Sequence, residues 1–337
     1  VKLSVLDRSR TRQGGTHAQA LRDTVAFARQ AEELGYHRFW VSEHHSVPGV
    51  AGSAPTVLAA AVAGATERIR VGTGGVMLPN HQPLVVAEQF GVLEALHPGR
   101  IDMGLGRSVG FTGGVRRALG HDKDDADRFG EQVRLLLGYL DGTQRAFPGV
   151  HAFPAEGQPI PAFLLATGAG ADLAAELGLP LVIGAVRGEA RMIEAITRYR
   201  DGFVPSSRCP MPYVIVSATV AVAGTRVAAE RLLVPEAWSS AWSRTHGVFP
   251  PLRPAAEILA TPMTDRERRY FDQAREGQIA GTPDEAAAAL AGLVERTGAD
   301  EVLVTTSTYD RAEMLDSYRL LAESVSAGSA AGSFGVR

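Results

Sequence analysis

Three short stretches within residues 36–107 hold the side chains best suited to chemistry. Glu43-His44-His45 sets a carboxylate beside two imidazoles. An imidazole titrates near pH 6.5, the range in which a side chain can both take and give a proton at neutral pH. Adjacent residues of an extended chain point to opposite sides, so only one of the two histidines can easily face a given site. Gly74-Gly75 lacks both Cβ atoms and lets a planar ring approach the backbone, although a bulge or turn is the ordinary use of such a pair. Gly104-Leu105-Gly106-Arg107 ends in a guanidinium, which can clamp a phosphate with two parallel hydrogen bonds. As a dinucleotide fingerprint this G-x-G is weak, because the third glycine is misplaced and no helix opens directly after it.

Glu43, His44, His45 and His81 together also suggest the two-histidine, one-carboxylate set of a facial triad. Adjacent strand residues cannot all converge on one ion, and neither a His-x-x-x-His spacing nor a cysteine pair accompanies them. No metal is expected.

The elements that must position these groups alternate. Strands are expected at 2–6, 36–42, 69–79, 101–105, 161–166, 181–184, 213–222 and 301–306, with helical spacing at 18–34, 55–65, 83–96, 125–140, 171–177, 189–199 and 312–323. Eight strand-helix alternations point to an α/β fold, a (β/α)8 TIM barrel over residues 1–323, in which chemistry collects at the carboxyl ends of the strands. His44, Gly74, Gly75 and Arg107 all fall at such ends. So do Thr167, Gly168 and Gly170, leading into a helix at Ala171 whose amino end offers free N–H groups to a phosphate. Residues 231–281, between strands seven and eight, are too long for an ordinary connection and read as a lid insertion carrying Trp238, Trp242 and Phe249. Thr282-Pro283 reads as an N-cap followed by a proline in the first turn. The Ser/Ala/Gly-rich stretch 324–337 reads as a flexible tail.

Composition sets limits. The chain has 337 residues, 45% of them hydrophobic, enough for one barrel-sized core. A formal charge of -3 gives no electrostatic reason to expect nucleic acid or an anionic membrane as partner. Cys209 is the single cysteine, so no internal disulfide can form and the cytoplasm is the default location.

The segments Trp40-Val41-Ser42-Glu43-His44-His45, Val71-Gly72-Thr73-Gly74-Gly75-Val76-Met77-Leu78-Pro79, and His97-Pro98-Gly99-Arg100 through Gly106-Arg107 resemble the catalytic subunit of bacterial luciferase and the flavin-dependent monooxygenases related to it. The resemblance implies that His44 acts as a base beside a flavin, and that a cis Gly74-Gly75 peptide supports the flavin ring. It further implies that Arg107, with Thr167, Gly168, Gly170 and Ala171, cradles the FMN phosphate. It also implies a homodimer whose seam is built from the helices at 55–65 and 83–96, packed by Ala59, Ala60, Ala63 and Gly64. With no nicotinamide-binding domain, reduced FMN would come from a separate flavin reductase and O2 would be the co-substrate. The acceptor would be a small apolar molecule, such as a long-chain aldehyde or a polyketide intermediate of antibiotic biosynthesis. Gly106 stands where luciferase has a reactive cysteine, which leaves light emission open, and Thr167-Gly168 stands where it has Glu-Ser. A deazaflavin-dependent oxidoreductase of the same fold and a non-catalytic flavin-binding protein are the rival readings.

Overall fold

The computed structural model describes residues 1–332. In chain order the elements are β1 (Lys2–Asp7), α1 (His17–Glu33), β2 (Arg38–Val41), α2 (Pro55–Ala65), β3 (Arg70–Thr73), β4 (Val76–Met77), α3 (Pro83–Leu96), β5 (Ile101–Gly106), α4 (Gly113–Ala118), α5 (Phe129–Asp141), β6 (Ala162–Ala166), α6 (Gly170–Glu176), β7 (Leu181–Gly184), α7 (Glu189–Asp201), β8 (Val214–Ala218), β9 (Val220–Val222), α8 (Arg226–His246), α9 (Ala255–Ala260), α10 (Asp265–Arg275), β10 (Ile279–Gly281), α11 (Pro283–Thr297), β11 (Glu301–Val304) and α12 (Arg311–Gly332). Single 3₁₀ turns lie at Leu78–Asn80 and Asp124–Arg128. The main sheet runs in the order β3-β2-β1-β11-β8-β7-β6-β5-β4, and β3 also pairs with β5, which closes it. With β3 and β4 as halves of one interrupted strand, this is the parallel (β/α)8 TIM barrel that the alternation predicts.

Local chemistry explains most boundaries. Phe39, Trp40 and Val41 are fully buried, since a barrel strand is covered on both faces and reads as an unbroken apolar run. Pro55 and Pro83 open α2 and α3, where a missing N–H costs no intrahelical bond. Thr16 caps α1 by accepting from the Gln19 N–H at 3.1 Å, and Gly35 ends it with a φ of +79°. Glu285 accepts from the Thr282 N–H at 2.9 Å, so α11 starts at the proline the sequence marks.

The chain divides into two compact units. One comprises Val1–His37, Val47–Ala51 and the chain from Val216 on. Within it, residues 231–281 are not irregular, as the sequence suggests, but ordered. Most of them are helical, in α8, α9 and α10, and β10 pairs with β9 in a small sheet of their own. Trp238 and Trp242, four apart on α8, share one helix face and pack with Ile258 and Phe271 in a separate apolar core. Proline inside α8, at Pro235, is what disguises this helix in the sequence. Residues 324–332, read as the start of a loose tail, continue α12, and 333–337 lie outside the described residues.

The other unit comprises Arg38–Ser46 and Gly52–Ile215. Its β2, β3 and β5 begin with a charged knot. Asp102, fully buried, accepts from Arg38 Nη1 at 2.7 Å, Trp40 Nε1 at 3.1 Å and Arg70 Nη2 at 2.6 Å. The backbones close in around it: a Cβ on Gly72 would lie 2.3 Å from the Asp102 carbonyl oxygen. In α2 and α3 the small residues expected to pack a seam do not all lie on the open face. Ala59 and Ala63 are buried inward, whereas Val57, Val85, Val92 and Leu96 are exposed, with Gly64 beside them on the open side.

Replacing Asp102 by Ala removes the buried carboxylate that pairs with Arg38, whose side chain is 8% exposed. Loss of one partner of a buried pair costs about 3–5 kcal/mol, so the midpoint of urea unfolding should fall accordingly.

Candidate active site

Beyond Val41 the strand alternation persists through residues that are no longer paired in the sheet. Ser42 and His44 lie on one side, Glu43 and His45 on the other. His44 is half-buried, with Nδ1 3.2 Å from Ser42 Oγ, and its N–H donates to the Gly52 carbonyl at 2.8 Å. Those bonds fix both the backbone and the ring of the predicted base at the carboxyl end of β2.

Glu43, the least exposed of the group, gathers three donors. Nε2 of His45 and Nε2 of His81 lie 2.6 and 2.8 Å from its Oε1, and the Met77 N–H donates to Oε2 at 2.7 Å. Burial alone would raise its pKa. The bonds from His45 and His81, with that from Met77, outweigh burial and bring it from the ordinary 4.5 down to about 2. An ionised carboxylate only accepts, so both imidazoles carry their proton on Nε2 here.

The convergence corrects one expectation from sequence. Glu43, His45 and His81 each offer a ligand atom within 4.8 Å of the others. Glu43 and His45 are spaced i, i+2 on one side of the chain beyond β2, which leaves His44 apart, and His81 reaches them from the segment after β4. As a donor set the trio suits a divalent transition ion. Yet both Nε2 atoms and both carboxylate oxygens are engaged in hydrogen bonds, and an ion would have to break the bonds to Oε1. The arrangement is complete as a hydrogen-bonded clasp.

The peptide between Gly74 and Gly75 is cis, as the resemblance implies. A Cβ on Gly75 would lie 2.8 Å from the Gly104 carbonyl oxygen, so no side chain fits against β5 there. Gly106 is different: a Cβ would meet Val76 O at 3.7 Å, an ordinary contact, and packing does not exclude a larger residue.

Register places the remaining candidates side by side. Met77 pairs with Gly106 and Gly106 with Leu165, so Arg107 and Thr167 leave neighbouring strand ends. Their side chains do not form the expected cradle. Arg107 is exposed and donates through Nε to the Ala126 carbonyl at 2.8 Å and through Nη2 to Asp127 Oδ1 at 2.5 Å. Thr167 is exposed, and Gly168 and Gly170 are half-buried. Helix α6 begins at Gly170, one residue earlier than the sequence suggests, and spans 7 residues. The Ala171 N–H already donates to Gly168 O at 2.9 Å, and Asp172 puts a carboxylate in the first turn. That amino end is therefore a poorer anion site than sequence reasoning assumed. Sequence reasoning also missed Ser42 and Asp127, and it named Glu43 and His81 only as potential metal ligands. The i, i+2 spacing of Glu43 and His45 was the available signal.

In this closed parallel barrel an imidazole, a glycine pair and an arginine stand at carboxyl ends of strands, the face on which barrel enzymes build their sites. The chain belongs to the luciferase-like monooxygenases, whose family model matches residues 1–322. It is 39% identical over 322 residues to the uncharacterized protein YvbT of Bacillus subtilis, covering 95% of this chain and 96% of that one. It is 32% identical to the N-acetyl-S-alkylcysteine monooxygenase of the same organism, covering 96% and 98% of the two chains. Among solved structures, apo-MsnO8 superposes with a TM-score of 0.87 at 34% identity, over 97% of this chain and 98% of that one. Neighbours sharing only the fold include an FMN complex of the oxygenating constituent of a diketocamphane monooxygenase and an alcohol dehydrogenase dependent on coenzyme F420. No helix among the described residues is long and apolar enough to cross a membrane.

The lowered pKa of Glu43 carries a pH dependence of stability. A carboxylate depressed on folding stabilises the native state above its unfolded pKa, and that stability is lost as pH falls through the folded value. Unfolding free energy should therefore drop between about pH 4.5 and 2, by about 3 kcal/mol from this group. In Glu43→Gln this acid-dependent loss should be absent from urea titrations run across the same range.

Proposed function

We propose that this chain is a monooxygenase of the two-component kind, using reduced FMN supplied by a separate reductase, with O2 as co-substrate and a small organic acceptor. The observation that carries the reading is His44, held by Ser42 and Gly52, at the end of β2, with the cis Gly74-Gly75 peptide at the end of the neighbouring β3. The residues suit the cofactor: Gly74-Gly75 presents bare backbone to a planar ring, and Arg107 supplies a cation for the phosphate tail. When bound, reduced FMN supplies the electrons and the oxygen-reactive ring.

The chain's own part is positioning and proton handling. Ser42 holds the ring of His44 through Nδ1, and His44 takes or delivers the proton. Glu43 holds Met77 and His81 in place and thereby the segment after Gly75. Arg107 anchors the anionic end. The relative that acts on an N-acetyl-S-alkylcysteine favours a thioether among possible acceptors, alongside the aldehyde or polyketide classes. A second reading, a hydride-transferring enzyme using coenzyme F420, is supported by the F420-dependent dehydrogenase of the same fold. Titration with FMN and with F420 separates the two: binding of F420 alone would overturn the FMN assignment.

His44→Ala should lower oxygen-dependent product formation about 100- to 10,000-fold, the range for loss of a general acid-base group, while flavin binding persists. Unchanged turnover would remove His44 from the mechanism.

The same reading includes a homodimer through α2 and α3. Val57 is 69% and Leu96 66% exposed, and with Val85 and Val92 they form an apolar face of the kind that monomers seldom leave open. Sedimentation at micromolar concentration should give a dimer, and Val92→Glu combined with Leu96→Glu should shift it to monomer.

A further inference from the structure

We propose that Asp127 is a built-in competitor for the anion site of Arg107, occupying the guanidinium until a phosphate displaces it. This rests on the reading of Arg107 as the anchor for the flavin phosphate. A planar guanidinium offers its Nε and one Nη as a side-on fork, matched to two oxygens of a carboxylate or phosphate. In this chain that fork is filled: Nε donates to the Ala126 carbonyl at 2.8 Å and Nη2 to Asp127 Oδ1 at 2.5 Å. Two protein oxygens stand where two phosphate oxygens would.

The exchange is physically easy. The side chains of Arg107 and Asp127 are 55% and 74% exposed, so the pair is screened by water and contributes little to stability. A phosphomonoester carries about 1.5 to 2 negative charges near neutral pH against one for a carboxylate, and the competition runs toward the phosphate. The turn that carries Asp127 has bonds of its own. Asp125 accepts from the Asp122 N–H at 2.9 Å and pairs with His121 at 3.0 Å, and Phe129, directly after the turn, is buried. Rotation of exposed side chains therefore suffices for release, with the segment left in place. Asp127 thus sets how tightly a phosphate-bearing ligand is held, and it leaves a ligand lacking phosphate untouched.

The test compares dissociation constants for FMN and riboflavin, by flavin fluorescence at fixed ionic strength, in the wild type, Asp127→Asn and Arg107→Met. Removing the competing charge should tighten FMN about two- to fivefold, the span of an exposed ion pair, and leave riboflavin unchanged. Arg107→Met should abolish the preference for FMN over riboflavin. FMN affinity that is unchanged or weaker in Asp127→Asn, with a wild type that does prefer FMN, overturns the role of Asp127 alone. A wild type that binds riboflavin as tightly as FMN overturns the phosphate reading of Arg107 and this proposal with it. Asp127→Ser, which removes the charge with a smaller side chain, should reproduce the Asn result.

Discussion

The carboxyl face of this barrel half depends on one buried carboxylate having enough donors. Glu43 is almost fully shielded from water, and an ionised acid in that position is tolerated only when hydrogen bonds replace its hydration. Two imidazoles and a backbone N–H do so. The consequence reaches beyond Glu43. Met77, held by Oε2, is in register with Gly106, and Gly106 with Leu165, so the clasp fixes a row of strand ends from which Arg107 and Thr167 depart. His44 shares a backbone with the clasp but points away from it. A single side chain thus steadies the strand ends that carry the proposed base, the glycine pair and the proposed anion anchor.

At the opposite end of the same strands the constraint is steric as well as electrostatic. Asp102 needs Arg38, Arg70 and Trp40 together, and they reach it only because β3 and β5 approach closely. Gly72 and Gly104 make that approach possible, since a Cβ at either would overlap the facing backbone. The glycines of Val71 to Pro79 therefore serve two separate ends. Gly72 closes the strand pair over a buried charge, and Gly75 lets the cis turn pack against Gly104 of β5. Gly106 serves neither by necessity, since a Cβ there would make only an ordinary contact with Val76 O.

How far the sequence could be read follows from what sets each feature. Barrel strands such as Phe39-Trp40-Val41 are buried on both faces and announce themselves as apolar runs, and Pro55, Pro83 and Pro283 mark helix starts by a local rule. The insertion was misread because its helices bury aromatic residues against one another and carry a proline, so composition resembles a loop while tertiary packing makes a core. His44 and the glycine pair were legible through their motif. The clasp was not, because His81 lies in a 3₁₀ turn's wake, 38 residues from Glu43, and no periodicity links them. Arg107 was legible as a cation, but its partner Asp127 depends on how a 20-residue segment folds back.

That last contact changes how an anion site here should be understood. Sequence reasoning assigned the phosphate to a helix amino end as well as to Arg107. The helix contributes less than expected, because α6 is short, its Ala171 N–H is spent on Gly168, and Asp172 brings negative charge to the first turn. Asp172 is itself paired with Arg198, an exposed pair too screened to cancel that repulsion fully. The weight of anion recognition then falls on a guanidinium on the rim, where water weakens every ionic bond and a neighbouring carboxylate is enough to occupy it. On the proposed function, a site of that design would hold its cofactor loosely and exchange it readily. That is the behaviour a chain needs if it takes its flavin already reduced from another protein and must give it back.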